Sequence, residues 1–120
     1  MVYIVDRLKE LIKYQGLQVA PAELEALLIS HPKIADAAVI GVYNESQATE
    51  VPRAFIVTHA EVEMQAQEAV EFVQSNLANH KRLRGGVVFV DEIPKSLSGK
   101  ILRKELRQRV ANEEKLKAKL

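Results

Sequence analysis

A short loop late in the chain holds residue types that can bring a positive charge close to an anion; it reads Pro94-Lys95-Ser96-Leu97-Ser98-Gly99-Lys100. Gly99 widens the conformations open to the backbone, and the two serines supply hydroxyl donors. Successive amides in such a loop can form an anion-binding nest. Lys100 adds a compact ammonium that can approach a phosphate or carboxylate oxygen. The loop indicates stabilisation of negative charge, although a surface lysine in a turn before a helix would use the same residues.

A second stretch, Asp6 to Val19, places charged residues in a strand-like pattern. Apolar residues on both sides of Gln15-Gly16 predict a two-stranded hairpin, with Gly16 at the turn position that needs a positive φ. A solvated hairpin edge would also carry such charges, because charged edges discourage pairing with other chains. The residues alone leave both interpretations open.

Other kinds of site find little support in the sequence. The chain has no cysteine, which excludes disulfides, thiolate metal sites and a cysteine nucleophile. The histidines His31, His59 and His80 fall at predicted element ends, so no metal site or Ser-His-Asp arrangement is assigned. Ile101 follows Gly99-Lys100 where a Walker P-loop needs Ser or Thr. We therefore expect no metal ligands here, and Lys100 is the leading candidate for a catalytic group.

Charge is distributed unevenly along the 120 residues, whose formal net charge is +1. Residues 1–80 carry 5 basic and 11 acidic residues, whereas residues 81–120 carry 12 basic and 5 acidic residues. The basic part could meet phosphates, an acidic surface or nucleic acid, or form a solvated helical face. No apolar run approaches the roughly 20 residues of a membrane span, and the N-terminus lacks a secretory signal pattern, so we expect an intracellular protein.

The elements that must position these residues follow from the apolar periodicity. After the hairpin the pattern predicts a helix from Pro21 to about His31, an antiparallel pair of strands, a second helix, a third strand and a last helix that starts near Leu102. The predicted ranges of the middle elements are strands at 34–42 and 51–58, a helix at 65–79 and a strand at 86–90. This order predicts an α+β fold: a small mixed or mostly antiparallel sheet of about three central strands, flanked by helices, with an N-terminal two-stranded hairpin.

Two stretches together resemble a known family. The segment from Val5 to Glu25 resembles the start, and Lys81 to Lys100 the end, of the C-terminal domain of adenylate-forming enzymes, in the group of acyl-CoA synthetases, 4-coumarate–CoA ligases and beetle luciferases. The resemblance covers residues 3–110. It implies one domain over residues 1–120: hinge and hairpin at 1–20, α+β core at 21–110, and basic tail at 111–120. The large N-terminal ATP and acyl domain is expected outside this chain.

The resemblance also implies a two-step reaction. A carboxylate attacks ATP to give an acyl-adenylate and pyrophosphate. The C-terminal domain then rotates, and the thiol of CoA attacks the adenylate to give a thioester and AMP. ATP, Mg²⁺ and CoA are the implied cofactors, bound mainly by the N-terminal domain. That domain, the carboxylic acid (aryl, cinnamate-like or fatty), ATP and CoA are the implied partners, with no nucleic acid and no membrane span.

Individual roles carry over by motif position. Lys100 matches the lysine that meets the α-phosphate and the attacking carboxylate, and Lys9 matches the hinge position. The cofactor-binding positions implied by the resemblance are Arg7, Lys13, Gly16 and Gln18: the first and last touch the ribose and phosphate of the adenylate, and the other two meet the nucleotide or line the CoA tunnel. The sequence departs from its relatives at Gln15, where they often carry a lysine, which puts a charge-based CoA contact there in doubt.

Alternatives remain at the level of the sequence. The same domain type serves luciferase-like oxidation and carrier-protein loading, and the basic part is also compatible with a freestanding binding module. Acetylation of Lys100 would remove the charge that the first step needs. The tripeptide Ala118-Lys119-Leu120 resembles a peroxisomal signal, although a lysine-rich tail can match it by chance. The expected location is therefore peroxisomal or cytoplasmic.

Overall fold

The computed structural model describes residues 11–77 and 81–119, and side chains through residue 113. Within these residues the elements follow the predicted order ββαββαβα. The two short strands on either side of Gln15-Gly16 pair as the predicted antiparallel hairpin. The elements are β1 (Ile12–Tyr14), β2 (Leu17–Val19), α1 (Pro21–Ile29), β3 (Ile34–Asn44), β4 (Thr49–Thr58), α2 (Ala66–Asn76), β5 (Val87–Phe89) and α3 (Arg103–Lys119).

The central sheet has the strand order β3-β4-β5. Strands β3 and β4 pair antiparallel across a tight turn, from Ile34 opposite Thr58 to Asn44 opposite Thr49. Strand β5 instead runs parallel to β4, because helix α2 separates these strands in the chain and carries the backbone to the other end of the sheet. The sheet is therefore mixed, and the predicted α+β class is confirmed.

The sheet has a buried layer on each face, because alternate residues of β3 point to opposite sides. On one face, Val39 packs with apolar residues of α1, α2 and the hairpin; on the other, Ile40 packs against α3. The first layer includes Ile12, Val19, Leu24, Leu28, Ile56 and Val73, and the second includes Ala38, Phe55, Ile93, Leu106 and Val110. Burying each of the larger side chains contributes about 1.5–3 kcal/mol, so both faces hold helices firmly.

Helix boundaries differ slightly from the expected ones. Helix α1 begins at Pro21 as predicted and ends at Ile29, with Ser30 as its C-cap. Pro32, which has no N–H to donate, follows two residues later and cannot continue the helix. Beyond it, the His31 Nδ1 accepts a hydrogen bond from the Lys33 N–H at 3.1 Å, and the His31 and Phe72 rings are nearly perpendicular with centroids 4.8 Å apart. That histidine therefore has a structural role. Helix α2 begins at Ala66 and ends at Asn76, about three residues before the predicted end, because Leu77 is extended. Residues 78–80, and with them His80, lie outside the described residues.

None of the helices in the described ranges is long and apolar enough to cross a membrane.

Candidate functional site: the Lys100 loop and the β1–β2 hairpin

The loop that ends in Lys100 is closed by its own hydrogen bonds. Lys95 and Ile101 form an isolated antiparallel bridge at its base. Inside it, the Gly99 N–H donates to the Ser96 carbonyl at 2.9 Å, and the Ser96 N–H donates to the Lys100 carbonyl at 2.9 Å. Gly99 has φ +85°, a conformation that side chains with a Cβ rarely adopt, so glycine is required at the turn. Lys100 is exposed on this closed loop.

The expected nest of backbone amides does not form at the end of the loop. The Lys100 N–H donates to the Ser96 hydroxyl oxygen at 3.2 Å, and the Gly99 N–H is taken by the Ser96 carbonyl. The Ser96 and Ser98 hydroxyls also bond to each other at 3.0 Å. These groups stabilise the turn through hydrogen bonds to each other and are not directed toward an anion. The ammonium of Lys100, not a backbone nest, is therefore the positive group that the loop offers.

Two ion pairs fix the loop to the core on either side of Lys100. Before it, the Lys95 ammonium lies 2.6 Å from a carboxylate oxygen of Asp36 on β3. After it, Arg103 at the start of α3 donates to both carboxylate oxygens of Glu25 on α1, at 2.6 and 2.8 Å. The loop is thus held between two elements that belong to the folded core. This arrangement limits where the Lys100 ammonium can move.

Glu25 lies at the centre of a buried polar network. It is only 6% exposed, and its Oε2 accepts a hydrogen bond from the Val39 N–H at 2.8 Å. Burial raises the pKa of the Glu25 carboxyl, while the Val39 N–H and the Arg103 guanidinium partly lower it. The Arg103 Nε also donates to the Val39 carbonyl at 3.3 Å. One carboxylate therefore joins α1, β3 and the beginning of α3.

The sequence reasoning missed this network. Neither Glu25 nor Arg103 is among the predicted site residues. The signal was present in the spacing: Glu25 lies on the same helical stripe as Pro21, Leu24 and Leu28, all of them buried. An acid on an apolar stripe needs a buried partner, because an unpaired buried charge is costly. Sequence alone does not tell which basic residue supplies it.

The hairpin carries the other predicted positions. Lys13 and Gln18 lie opposite each other in the β1–β2 register, and both are exposed. Gly16 is exposed in the turn with φ +82°, as predicted, and Gln15 also has a positive φ of 48°. Two consecutive residues with positive φ are typical of the tight turns that suit the twist of a hairpin. The backbone of the turn is therefore exposed at Gly16, which has no side chain to shield it.

The structure brings together Lys13, Gly16 and Gln18 on one hairpin and places Lys100 on a separate loop. Arg7 and Lys9 lie outside the described residues. In the described ranges, no group of three or more His, Cys, Asp or Glu side chains is placed to hold a metal ion. We therefore assign none of the described residues to Mg²⁺. The described site offers the exposed ammonium of Lys100 on a braced loop, and an exposed hairpin turn that follows the exposed Lys13.

Comparison with known proteins identifies this arrangement. Residues 23–100 match the family model of the AMP-binding enzyme C-terminal domain. A putative acyl-coenzyme A synthetase of Emericella nidulans is 53% identical over 99% of this chain and 22% of its own length. Luciferin 4-monooxygenase of Luciola mingrelica is 55% identical over 88% of this chain and 19% of its own length.

The fold agrees with these relatives. An acyl-CoA synthetase of Brucella canis superposes with a TM-score of 0.80 and 33% identity, over 90% of this chain and 20% of that chain. The chain thus spans about a fifth of the length of the relatives it matches. The resemblance recognised from the two terminal motifs is confirmed, and the chain belongs to the AMP-binding enzyme C-terminal domain family.

Proposed function

We propose that this chain is the C-terminal domain of an ATP-dependent acid–CoA ligase, and that it supplies Lys100 to the adenylation step. The observation that carries the proposal is the Lys100 loop itself. Its ammonium is exposed, its backbone is closed by internal hydrogen bonds, and both of its flanks are tied to the core by ion pairs. A fixed positive group of this kind is what catalysis of anion chemistry requires.

In the first step, a substrate carboxylate oxygen bonds to the α-phosphorus of ATP while the bond to pyrophosphate breaks. Negative charge grows on the oxygens around that phosphorus in the transition state. The Lys100 ammonium stabilises this charge more strongly there than in the bound substrates, and such differential binding accelerates the reaction. Because the loop is braced before the substrate arrives, little free energy is spent on ordering it.

In the second step, the sulfur of CoA bonds to the acyl carbon of the adenylate and AMP leaves. We assign the β1–β2 hairpin to this step, with Lys13, Gly16 and Gln18 facing the nucleotide or the CoA. The exposed turn at Gly16 lets a narrow substrate approach the backbone closely. Rotation about Lys9 would exchange the two surfaces between steps, and Arg7 would contact the adenylate.

ATP and CoA are substrates that the larger remainder of the enzyme would mainly hold, and Mg²⁺ would neutralise phosphate charge there. The domain division at residues 1–20, 21–110 and 111–120 belongs to the same proposal. An isolated C-terminal domain has no phosphate loop, adenine pocket or acyl pocket against which to place Lys100. We therefore expect the 120-residue chain alone to form neither acyl-adenylate nor thioester at a useful rate.

The test uses the complete enzyme with ATP, CoA and a panel of aromatic, cinnamic and fatty acids. The proposal expects an acyl-CoA thioester, AMP and pyrophosphate with at least one acid, and no ATP–pyrophosphate exchange by the isolated chain. ADP as the nucleotide product would contradict an AMP-forming ligase. Acyl-adenylate that never passes to CoA would instead support a luciferase-like or carrier-loading enzyme, and this chain is also similar in sequence to a luciferin 4-monooxygenase.

We further propose that Ala118-Lys119-Leu120 directs the enzyme to peroxisomes if the natural chain ends there. The support is the small-basic-leucine pattern of such signals. Imaging the enzyme with an N-terminal fluorescent tag, with and without replacement of Leu120, tests this directly. Diffuse cytoplasmic fluorescence of the unmodified protein would contradict it.

A further inference from the structure

The outer edge of the β1–β2 hairpin is held by side chains of β4 instead of by another strand. The backbone groups on this edge of β1 would otherwise be unpaired. The Lys13 N–H donates to Glu50 Oε1 at 3.1 Å. The Lys13 carbonyl accepts from the Thr49 hydroxyl at 2.9 Å, and the Gln15 N–H donates to the same hydroxyl oxygen at 2.8 Å.

The Thr49 hydroxyl therefore makes two bonds, one as donor and one as acceptor, to two residues that surround Tyr14. It accepts a hydrogen bond from the N–H of Gln15, which is the first of the two positive-φ residues in the turn. A residue with a Cβ is strained in that conformation, so it persists only where its surroundings fix it. Thr49 is the polar group that meets Gln15 directly.

Thr49 is itself rigidly placed. It is the first residue of β4 and pairs with Asn44 in the register of the β3–β4 hairpin. The turn before it is closed by hydrogen bonds to the Asn44 side chain from the Ser46 hydroxyl at 2.7 Å and the Gln47 N–H at 3.1 Å. The Thr49 hydroxyl can therefore fix the Gln15-Gly16 turn relative to the central sheet.

We infer that Thr49 is a positioning residue for thioester formation: its hydroxyl fixes the Gln15-Gly16 turn in the orientation that CoA meets. This inference rests on the proposed function, because it assigns the turn to the second step. It goes beyond that function by naming a residue outside the recognised motifs. Different residues then position the groups of the two steps: Thr49 holds the turn used in the second, and Asp36 and Glu25 hold the Lys100 loop used in the first.

The hairpin should remain folded without this hydroxyl. Tyr14 is 8% exposed, and the Arg84 guanidinium lies 4.5 Å from its ring centroid. Ile12 and Val19 are buried in the core. Replacing Thr49 with valine keeps the branched shape and removes both hydrogen bonds. The change should therefore loosen the turn without unfolding the domain.

The experiment compares Thr49→Val and Thr49→Ser in the complete enzyme, with Thr58→Val, at the opposite end of β4, as the matched control. For the acid that gives the most thioester, ATP–pyrophosphate exchange reports the first step, and preformed acyl-adenylate with CoA reports the second. For Thr49→Val we expect a loss of about three- to tenfold in the second step, the size of one or two hydrogen bonds. The first step should be unchanged, and serine should restore the second.

Amide hydrogen exchange gives a second readout: the Gln15 N–H should exchange faster in Thr49→Val and at the normal rate in Thr58→Val. Equal rates of the second step in wild type and Thr49→Val, or equal losses in both steps, would overturn the inference alone. If the wild-type enzyme forms no thioester, the proposed function is wrong and the inference is overturned with it.

Discussion

The Gln15-Gly16 turn shows how backbone conformation is chosen at single residues. Gly16 has φ +82° with nothing within 4 Å of the place that a Cβ would occupy. Space is therefore available, and the conformation alone demands glycine. Gln15 adopts a positive φ of 48° without that freedom. Backbone strain is therefore present at Gln15 and absent at Gly16.

This difference predicts opposite effects of two exchanges in the turn. Gly16→Ala should lower the free energy of unfolding by about 1–2 kcal/mol, because a Cβ is disfavoured in the left-handed region. Gln15→Gly should be neutral or slightly stabilising, because it removes the strain that is already present. Urea unfolding of the domain measures both variants, and a neutral Gly16→Ala exchange would contradict the account.

At the scale of elements, the Glu25–Arg103 pair joins helices α1 and α3 through strand β3. Its members are 78 positions apart in sequence, and their side chains are 8% and 17% exposed. Removing one partner of a pair this buried leaves the other charge without compensation. The pair should therefore contribute far more than a surface contact of the same chemistry.

Helix α1 offers a matched pair of exchanges to test this. Glu25→Gln should destabilise the domain by up to about 3 kcal/mol, because it leaves Arg103 without a charged partner. Glu23→Gln, which breaks the exposed contact with Lys81, should cost less than about 1 kcal/mol. The measurement is urea unfolding, with the double variant Glu25→Gln/Arg103→Met expected to lose less than the sum. Equal effects of the two glutamine exchanges would contradict the buried role of Glu25.

A second contact, at the start of α2, makes stability depend on pH. The Lys33 ammonium lies 2.8 Å from Glu68, and the Gln65 N–H bonds to the same carboxylate at 3.2 Å. Both hydrogen bonds lower the pKa of Glu68 below its ordinary value of 4.5, the one from Lys33 more strongly. A lowered pKa in the folded state stabilises the fold above 4.5, and this contribution is lost as the pH falls through the lowered value.

Glu68→Gln should therefore remove a pH-dependent part of stability. The difference in unfolding free energy between wild type and variant should be constant near neutral pH and should shrink as the solution becomes acidic. Urea unfolding over a pH series measures it, with Glu71→Gln on the same helix as the control. A difference that grows on acidification would contradict the assignment.

Local sequence determines some features of these elements, and contacts between distant residues determine others. The hairpin, the start of α1 at Pro21 and the positive φ of Gly16 could all be predicted, because local sequence decides them. The Glu25–Arg103 pair and the bonds from Thr49 to β1 could not, because they join residues distant in the chain. The positive φ of Gln15 was not predicted either, because the sequence analysis assigned a positive φ only to Gly16, whereas both central residues of the turn adopt one.

Across the whole molecule, the acidic and basic parts of the sequence meet in the fold. Lys81, Lys95 and Arg103 pair with Glu23, Asp36 and Glu25, so three cations of the basic part are neutralised by acids of the acidic part. Arg84 lies over the Tyr14 ring. Four of the 12 basic residues at 81–120 therefore serve contacts within the domain.

Lys100 lies exposed on the loop between two of these pairs, and the central claim is that this domain acts through it in the first step only. The most direct test measures Lys100→Ala in the complete enzyme, with Lys104→Ala on the exposed start of α3 as the control. ATP–pyrophosphate exchange should fall by about 10²–10³, the usual loss for one preorganised charge-stabilising group, while thioester formation from preformed acyl-adenylate should persist. Undiminished exchange, or an equal loss in both steps, would contradict the account.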